Sequence, residues 1–78
     1  YAAAKGAVVA VMHAVAEEER ANGVRANAIA PSTIRTAVNV AAMGDKAAMV
    51  SREAVAEVVC WLASDAARAV TGQLIAVR

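Results

Sequence analysis

The first part of the chain shows almost no alternation between polar and apolar positions. Residues 2–16 are Ala, Val or another apolar type with three exceptions: Lys5, Gly6 and His13. Alanine is the strongest helix former, and nothing interrupts the run before residues 22–23, Asn-Gly, so the pattern predicts one helix with a glycine stop. A helix that is apolar around most of its circumference is buried on more than one side, by a core and a subunit interface or by two layers of a larger protein.

The pattern then changes to that of a short strand. Residues 24–30, bounded by Gly23 and Pro31, predict a strand whose polar positions are Arg25 and Asn27. Residues 31–36 have the composition of a turn and would follow the carboxyl end of that strand. Open α/β sheets bind ligands at this edge.

A second helix and a second strand complete the pattern. Ser51 is a good N-cap, with Glu53 in the first turn, for a helix through Ala63. Apolar residues recur on it at helical spacing and predict one buried stripe: Val55, Val58, Val59 and Leu62. Residues 71–72 then turn the chain into a strand at 74–77. The order predicts an α/β fold with two parallel strands joined by a right-handed crossover.

Composition limits what this chain does by itself. It has 78 residues, 60% of them apolar, but mostly Ala and Val, with no Phe and one Trp. A single core in so short a chain supplies no more than about 3 to 5 kcal/mol. Because there is no initiator Met and the first motif begins at residue 1, we expect residues 1–78 to be a C-terminal fragment of one larger domain.

Charge and cysteine content narrow the classes of partner. The net charge is only +1, and the Lys and Arg residues are dispersed. The sequence therefore has no basic patch of the kind that binds nucleic acid or an anionic membrane. No apolar run is long enough to span a bilayer and nothing resembles a signal peptide, so a cytoplasmic setting is expected. Cys60 is the single cysteine and predicts a buried structural thiol. His13 has no metal-ligating partner at helical spacing, so no metal site is predicted. We expect His13 to be a partly buried helix residue.

Tyr1 and Lys5 are the candidate chemical groups. They lie four residues apart, on one face of the predicted helix. A free Tyr has a pKa of about 10, and activity near neutral pH requires a shift of roughly three units, or about 4 kcal/mol. One unit charge at about 4 Å, with an effective dielectric near 20, supplies this. The pair is a candidate acid/base for a carbonyl or an alcohol, although the same spacing also arises by chance on helix surfaces.

Five blocks of the sequence, in order, resemble the C-terminal part of an ordinary short-chain dehydrogenase/reductase. The blocks are Tyr1-Ala-Ala-Ala-Lys5 and residues 23–31, 34–36, 61–65 and 70–73. The resemblance covers essentially the whole chain. It implies the C-terminal α-β-α-β part of a doubly wound, Rossmann-type parallel sheet.

The resemblance also implies a reaction. The protein would be an oxidoreductase that uses NAD or NADP to interconvert an alcohol and a ketone-type carbonyl. Tyr1 would be the acid/base, and Lys5 would hold the nicotinamide ribose and lower the Tyr1 pKa. The small-molecule substrate is unspecified, and a homo-oligomer, dimer or tetramer, is expected. The family's Gly-rich phosphate loop and its catalytic Ser and Asn would precede Tyr1.

The loop after the first strand would bind the cofactor by the same resemblance. Its contributing residues would be Pro31, Ser32, Ile34 and Thr36, with the Ile34 backbone and the Thr36 hydroxyl near the carboxamide. Ser32 stands where the family usually has Gly, which puts the tightness of this turn in question. Residues 76–78 also lack the family's usual Gly-containing tail.

Other functions remain open from the sequence. The Ala-rich helix is also compatible with a non-catalytic subunit-association module. Residues 36–39 and 42–43 faintly resemble the pteridine-reducing branch of the family, and a relative catalysing dehydration or isomerisation is a third alternative. Met43 and Met49 could line a substrate pocket or fill a core. We expect the 78-residue chain alone to be inactive.

Overall fold

The structure, a computed structural model, describes residues 2–78. Helix α1 spans Ala2–Glu18 and continues into a 3₁₀ turn at Arg20–Asn22. Gly23 ends it with φ 72°, and the Gly23 N–H donates to the Arg20 carbonyl at 3.0 Å. The predicted helix and its glycine stop are therefore confirmed. The acid/base assignment to Tyr1 falls outside the described residues.

Strand β1 is shorter than the sequence predicts. It spans Ala28–Pro31 and pairs in parallel with β2, Leu74–Val77, in the register Ala28 to Leu74. The prediction of a strand from residue 24 is wrong because this stretch lies beside a turn instead of a strand. The Ala26 N–H donates to the Thr71 hydroxyl at 3.2 Å, and the Ala26 carbonyl accepts from the Gly72 N–H at 2.7 Å.

Pro31 is the last residue of β1 and not the residue that follows it. The Ala28 and Ser32 N–H groups both donate toward β2, to the Gln73 and Val77 carbonyls at 2.9 Å. Since successive residues of a strand alternate, the Pro31 nitrogen lies on the side away from β2. Its missing N–H therefore removes no hydrogen bond between the two strands.

Two helices connect the strands where the sequence predicted one. Helix α3, Arg52–Ala63, begins as predicted, and the Ser51 hydroxyl accepts from the Ala54 N–H at 3.0 Å. Helix α2, Ala37–Met43, precedes it and was not predicted. It has only 7 residues and ends at Gly44, which has φ 92°. The α/β prediction with a parallel strand pair is confirmed, with α2 as an addition.

The two faces of the sheet lie against different helices, α3 on one side and α1 on the other. Parallel partners share a face, so Ile29 lies with Ile75 on one side and Ala28 with Leu74 on the other. The Ile29 side lines a depression together with Val59 of α3. The Ala28 side lines a cleft whose other wall is α1. The short β1–β2 pair thus lies between α1 and α3.

The stripe on α3 is only partly covered. Val55, Val58 and Leu62 are half-buried, but Val59 is 47% exposed. A sheet of two strands is too narrow to cover the whole stripe. Cys60 lies off the stripe and is exposed, so the prediction of a buried thiol is wrong.

Helix α1 is held at one end and open at the other. Met12 and Ala16 are buried, and Ala16 packs close to Gly72, while Val11 is 62% exposed. His13 is also exposed, which corrects its placement as partly buried. Within the described chain α1 is therefore not buried on more than one side, and no backbone approaches Gly6.

No helix of residues 2–78 is long and apolar enough to cross a membrane.

Candidate active site

A cleft of about 520 Å³ lies between the N-terminal half of α1 and β1. It extends to the loop at the carboxyl end of β1, where ligands bind in open α/β sheets. Its size falls within the range of small-molecule sites, roughly 300 to 1,000 Å³. The residues that line it are Lys5, Val8, Val9, Ala28, Ile29, Ala30, Pro31, Ser32, Ile34 and Leu74.

The fold brings several of the predicted site residues to this one cleft. Lys5 reaches it from α1, while Pro31, Ser32 and Ile34 reach it from the end of β1 and the loop that follows. In sequence these two groups are separated by the rest of α1, the 3₁₀ turn and most of β1. Because α1 packs against the 70–72 turn through Ala16, its opposite end stands beside the carboxyl end of β1.

Lys5 gives the cleft its charge. Among the described residues that line it, Lys5 alone carries a charged side chain, and the others are apolar except for Ser32. A single cation beside an apolar wall suits a ligand that combines apolar surface with hydroxyl or anionic groups. Lys5 lies in the first turns of α1, four positions after Tyr1 in the sequence.

The loop at Ile34 is fixed by a short parallel bridge to Val50. The Val50 N–H donates to the Thr33 carbonyl at 2.9 Å, and the Arg35 N–H donates to the Val50 carbonyl at 2.8 Å. The Ile34 carbonyl accepts from the Asn39 side-chain amide at 2.7 Å. In the described part of the chain the Ile34 N–H has no partner. In a trans peptide it points opposite the Thr33 carbonyl, and so away from Val50.

Ser32 is accommodated without backbone strain. No non-glycine residue among 2–78 has a positive φ, so the turn at Ser32 does not require the glycine that the family usually has there. The Ser32 N–H is also satisfied, since it donates to the Val77 carbonyl at 2.9 Å. The turn is compatible with serine, and the side chain lines the cleft.

Thr36 is not brought to the same cleft. It lines a separate depression of about 320 Å³ with residues of α2 and the start of α3. Its hydroxyl oxygen caps α2 by accepting from the Asn39 N–H at 3.1 Å. The hydroxyl hydrogen stays available to donate, because a hydroxyl has one donor and two acceptor sites.

Asn39 and Val50 were missed as site residues. A Thr-x-x-Asn spacing before an apolar run resembles a helix start, in which a side chain at the third helical position reaches back to the loop. That signal at Thr36 would have identified both α2 and Asn39. No signal in the sequence predicts the bridge between Val50 and Ile34. Met43 is 54% exposed and Met49 half-buried, and neither lines the cleft.

The depression on the opposite face of the sheet is of similar size, about 490 Å³. It lies at the amino end of β1, and Arg25 and Asn27, which line it, both donate to the Val70 carbonyl. Those two side chains therefore stabilise the contact between the start of β1 and the turn before β2.

Within residues 2–78 no group of three or more His, Cys, Asp or Glu is arranged to hold a metal ion.

Comparison with known sequences identifies the family. A sequence model described as enoyl-(acyl carrier protein) reductase matches residues 1–78. The chain belongs to the short-chain dehydrogenase/reductase family. A short chain dehydrogenase/reductase of Aspergillus oryzae is 35% identical over 91 residues, which cover 99% of this chain and 35% of that protein.

Solved structures of family members share the fold of this chain. A short-chain type dehydrogenase/reductase from Mycobacterium ulcerans superposes with a TM-score of 0.88 at 38% identity, covering 99% of this chain and 32% of that one. A 4-hydroxyisoleucine dehydrogenase complexed with NADH gives a TM-score of 0.88 at 25% identity, covering 99% and 37%. The chain therefore spans about a third of the length of these relatives and has the α/β fold of their matching part.

Proposed function

We propose that the protein containing this chain is an NAD- or NADP-dependent oxidoreductase that interconverts an alcohol and a ketone-type carbonyl. The observation that carries the proposal is the cleft that joins Lys5 to the loop of Ile34, whose N–H has no partner among residues 2–78. Membership in the short-chain dehydrogenase/reductase family supports the class of reaction. A relative solved in complex with NADH supports the class of cofactor.

The cleft residues fit the nicotinamide-ribose half of such a cofactor. When bound, the nicotinamide supplies or accepts the hydride. The Lys5 ammonium, with three donors, suits the ribose hydroxyls, and the Ile34 N–H suits the carboxamide oxygen. Pro31 and Ser32 would lie beside the ring as lining residues of the same cleft. Thr36 lies outside the cleft, so its place near the carboxamide rests on the family resemblance.

Proton transfer is assigned to Tyr1. In the reducing direction its hydroxyl donates a proton to the substrate carbonyl oxygen, and in the oxidising direction the phenolate accepts a proton from the alcohol. A cation stabilises the phenolate relative to the phenol, so Lys5 would lower the pKa of Tyr1. One proton moves between Tyr1 and the substrate oxygen in each turnover.

Association through α1 is part of the proposal. Val11 is 62% exposed in the middle of an Ala-rich helix, and nothing in the described chain approaches Gly6. Apolar helix surface of this kind is normally covered. We propose that the rest of the protein and a second copy of it together provide that cover, which makes a homo-oligomer the expected state.

The test is a cofactor-coupled assay on the full-length protein. Oxidation of NADH or NADPH is followed by absorbance with a panel of ketones, and the alcohol formed is quantified by mass spectrometry. Equal amounts of oxidised cofactor and alcohol product are expected. Turnover of substrate without cofactor consumption would instead support dehydration or isomerisation. Absence of both dinucleotide binding and turnover would support the subunit-association module.

A further inference from the structure

Asn39 connects the two groups that the carboxamide of the cofactor would meet. Its backbone N–H donates to the Thr36 hydroxyl oxygen at 3.1 Å. Its side-chain amide donates to the Ile34 carbonyl at 2.7 Å. Asn39 lies in the first turn of α2, whose first residue is Ala37, so the helix carries the amide to the loop.

These bonds fix two consecutive peptide units. The unit between Ile34 and Arg35 is held at its carbonyl by Asn39 and at its N–H by the Val50 carbonyl, 2.8 Å away. The unit before it is held at the Thr33 carbonyl by the Val50 N–H. Of the four polar groups in these units, the Ile34 N–H is the one that remains unbonded within residues 2–78.

We propose that Asn39 is a positioning residue for the carboxamide-binding part of the site. It acts through the Ile34–Arg35 peptide unit, whose carbonyl it holds. This steadies the adjoining unit, in which the Val50 bond to the Thr33 carbonyl directs the Ile34 N–H away from Val50. This inference rests on the proposed function, because it takes the nicotinamide carboxamide as the acceptor of that N–H. A donor that is fixed before binding loses less conformational freedom when the ligand arrives, and so contributes more to affinity.

Removing the Asn39 amide leaves the Ile34 carbonyl without its side-chain donor. The two peptide units then lose one of their three anchors, and the direction of the Ile34 N–H becomes less defined. Affinity for the nicotinamide part of the cofactor should fall, whereas affinity for the adenine and ribose part should not. This difference separates a positioning role from a general loss of structure.

Asn39→Asp is the sharpest variant. It keeps the size of the side chain and the backbone bond to Thr36, and a carboxylate in the first turn of a helix is favourable for α2. It replaces the donor that faces the Ile34 carbonyl by an acceptor. Asn39→Ala is the second variant, and Val38→Ala, on the adjacent and 77% exposed position, is the control.

The experiment is calorimetric titration of the full-length protein with NADH and NADPH, and with ADP-ribose and its 2′-phosphate, which lack nicotinamide. Both Asn39 variants should bind the intact dinucleotide about threefold to tenfold more weakly, the range for one net hydrogen bond. Binding of the ADP-ribose compounds, and of every ligand to Val38→Ala, should be unchanged.

Four results would overturn the inference. Wild-type affinity for the dinucleotide in both variants would remove the role of Asn39, and equal weakening toward ADP-ribose would reduce it to a structural one. An Ile34 amide resonance of the wild-type protein that does not shift with NADH or NADPH would contradict it without any variant. A wild-type protein that binds neither dinucleotide would overturn the proposed function as well.

Discussion

The Asn27 side chain binds the backbone on both sides of the turn that leads into β2. Its carbonyl oxygen accepts from the Gln73 N–H at 3.1 Å, and its amide donates to the Val70 carbonyl at 2.9 Å. Asn27 is half-buried and immediately precedes β1. One side chain thus aligns the start of both strands, and this sets the register that brings Pro31 and Ser32 to the cleft.

Asn27→Leu should therefore destabilise the protein. Leucine has a similar size but leaves the Gln73 N–H without its partner and removes one of two donors to the Val70 carbonyl. We expect a loss of about 1 to 3 kcal/mol, measured as a lower urea midpoint of the full-length protein. The control is Asn22→Ala, which removes an exposed bond to Glu19 and should cost less than about 0.5 kcal/mol. Equal midpoints for both variants would contradict the role given to Asn27.

Tyr1→Phe should abolish most of the proposed activity of the full-length protein. The substitution keeps the ring and removes only the hydroxyl to which we assign proton exchange with the substrate. We expect kcat to fall by at least about a hundredfold, the scale of a positioned acid/base. Dinucleotide affinity, measured by titration, should change much less. Steady-state turnover close to that of the wild type would rule out the acid/base assignment.

Lys5→Met should affect both binding and the pH dependence. Loss of the only charged group that lines the cleft in the described chain should weaken dinucleotide binding. Loss of a cation also disfavours the phenolate, so in alcohol oxidation the rise of rate with pH should move to higher pH. Both effects are measured in full pH–rate profiles and titrations. Lys46→Met, at an exposed loop position, is the control and should alter neither.

Ser32→Gly should not improve the turn. Because the backbone at Ser32 is already in a region open to any residue, glycine adds freedom to the unfolded chain without relieving strain. We expect a loss of stability of about 0.4 to 1 kcal/mol, detectable in urea unfolding of the full-length protein. A gain in stability would show that serine is strained at this position in solution.

The sequence predicted the elements whose signals are local. Gly23 marked the end of the 3₁₀ turn that continues α1, and Ser51 marked the start of α3. Both boundaries are confirmed. What depended on distant partners was missed. The start of β1 could not be placed because residues 70–73, more than forty positions away, bond the stretch before it. Cys60 was misplaced because it was assigned to the apolar pattern of α3 as a whole, although it lies off the stripe that faces the sheet and is exposed.

In the candidate site, too, some residues could be found from the sequence and others could not. Lys5, Pro31, Ser32 and Ile34 were selected by resemblance, and the structure places them around one cleft. Their functional roles remain predictions. Asn39 was missed because its significance comes from the 2.7 Å bond to the Ile34 carbonyl, which depends on how α2 folds against the loop.

The 78-residue chain by itself is expected to lack a cooperative fold. Its radius of gyration is 14.8 Å, whereas a compact domain of this length has about 11.5 Å. Its accessible surface is 5592 Å², against about 4,400 Å² for a folded monomer of this size. Among the described residues the buried apolar set is small: Met12, Ala16, Val50, Ala67 and Val77.

A chain that buries so little apolar surface gains too little to offset its loss of conformational entropy. A two-stranded parallel sheet also leaves edges and faces open that parallel sheets normally have covered. We therefore expect the isolated chain to show a broad thermal transition by circular dichroism, fast hydrogen exchange at β1 and β2, and no measurable binding of NADH or NADPH by calorimetry. The full-length protein, measured in parallel, should melt cooperatively. A sharp transition of the 78-residue chain together with micromolar dinucleotide binding would contradict this prediction, because the cleft beside Lys5 would then form without further cover.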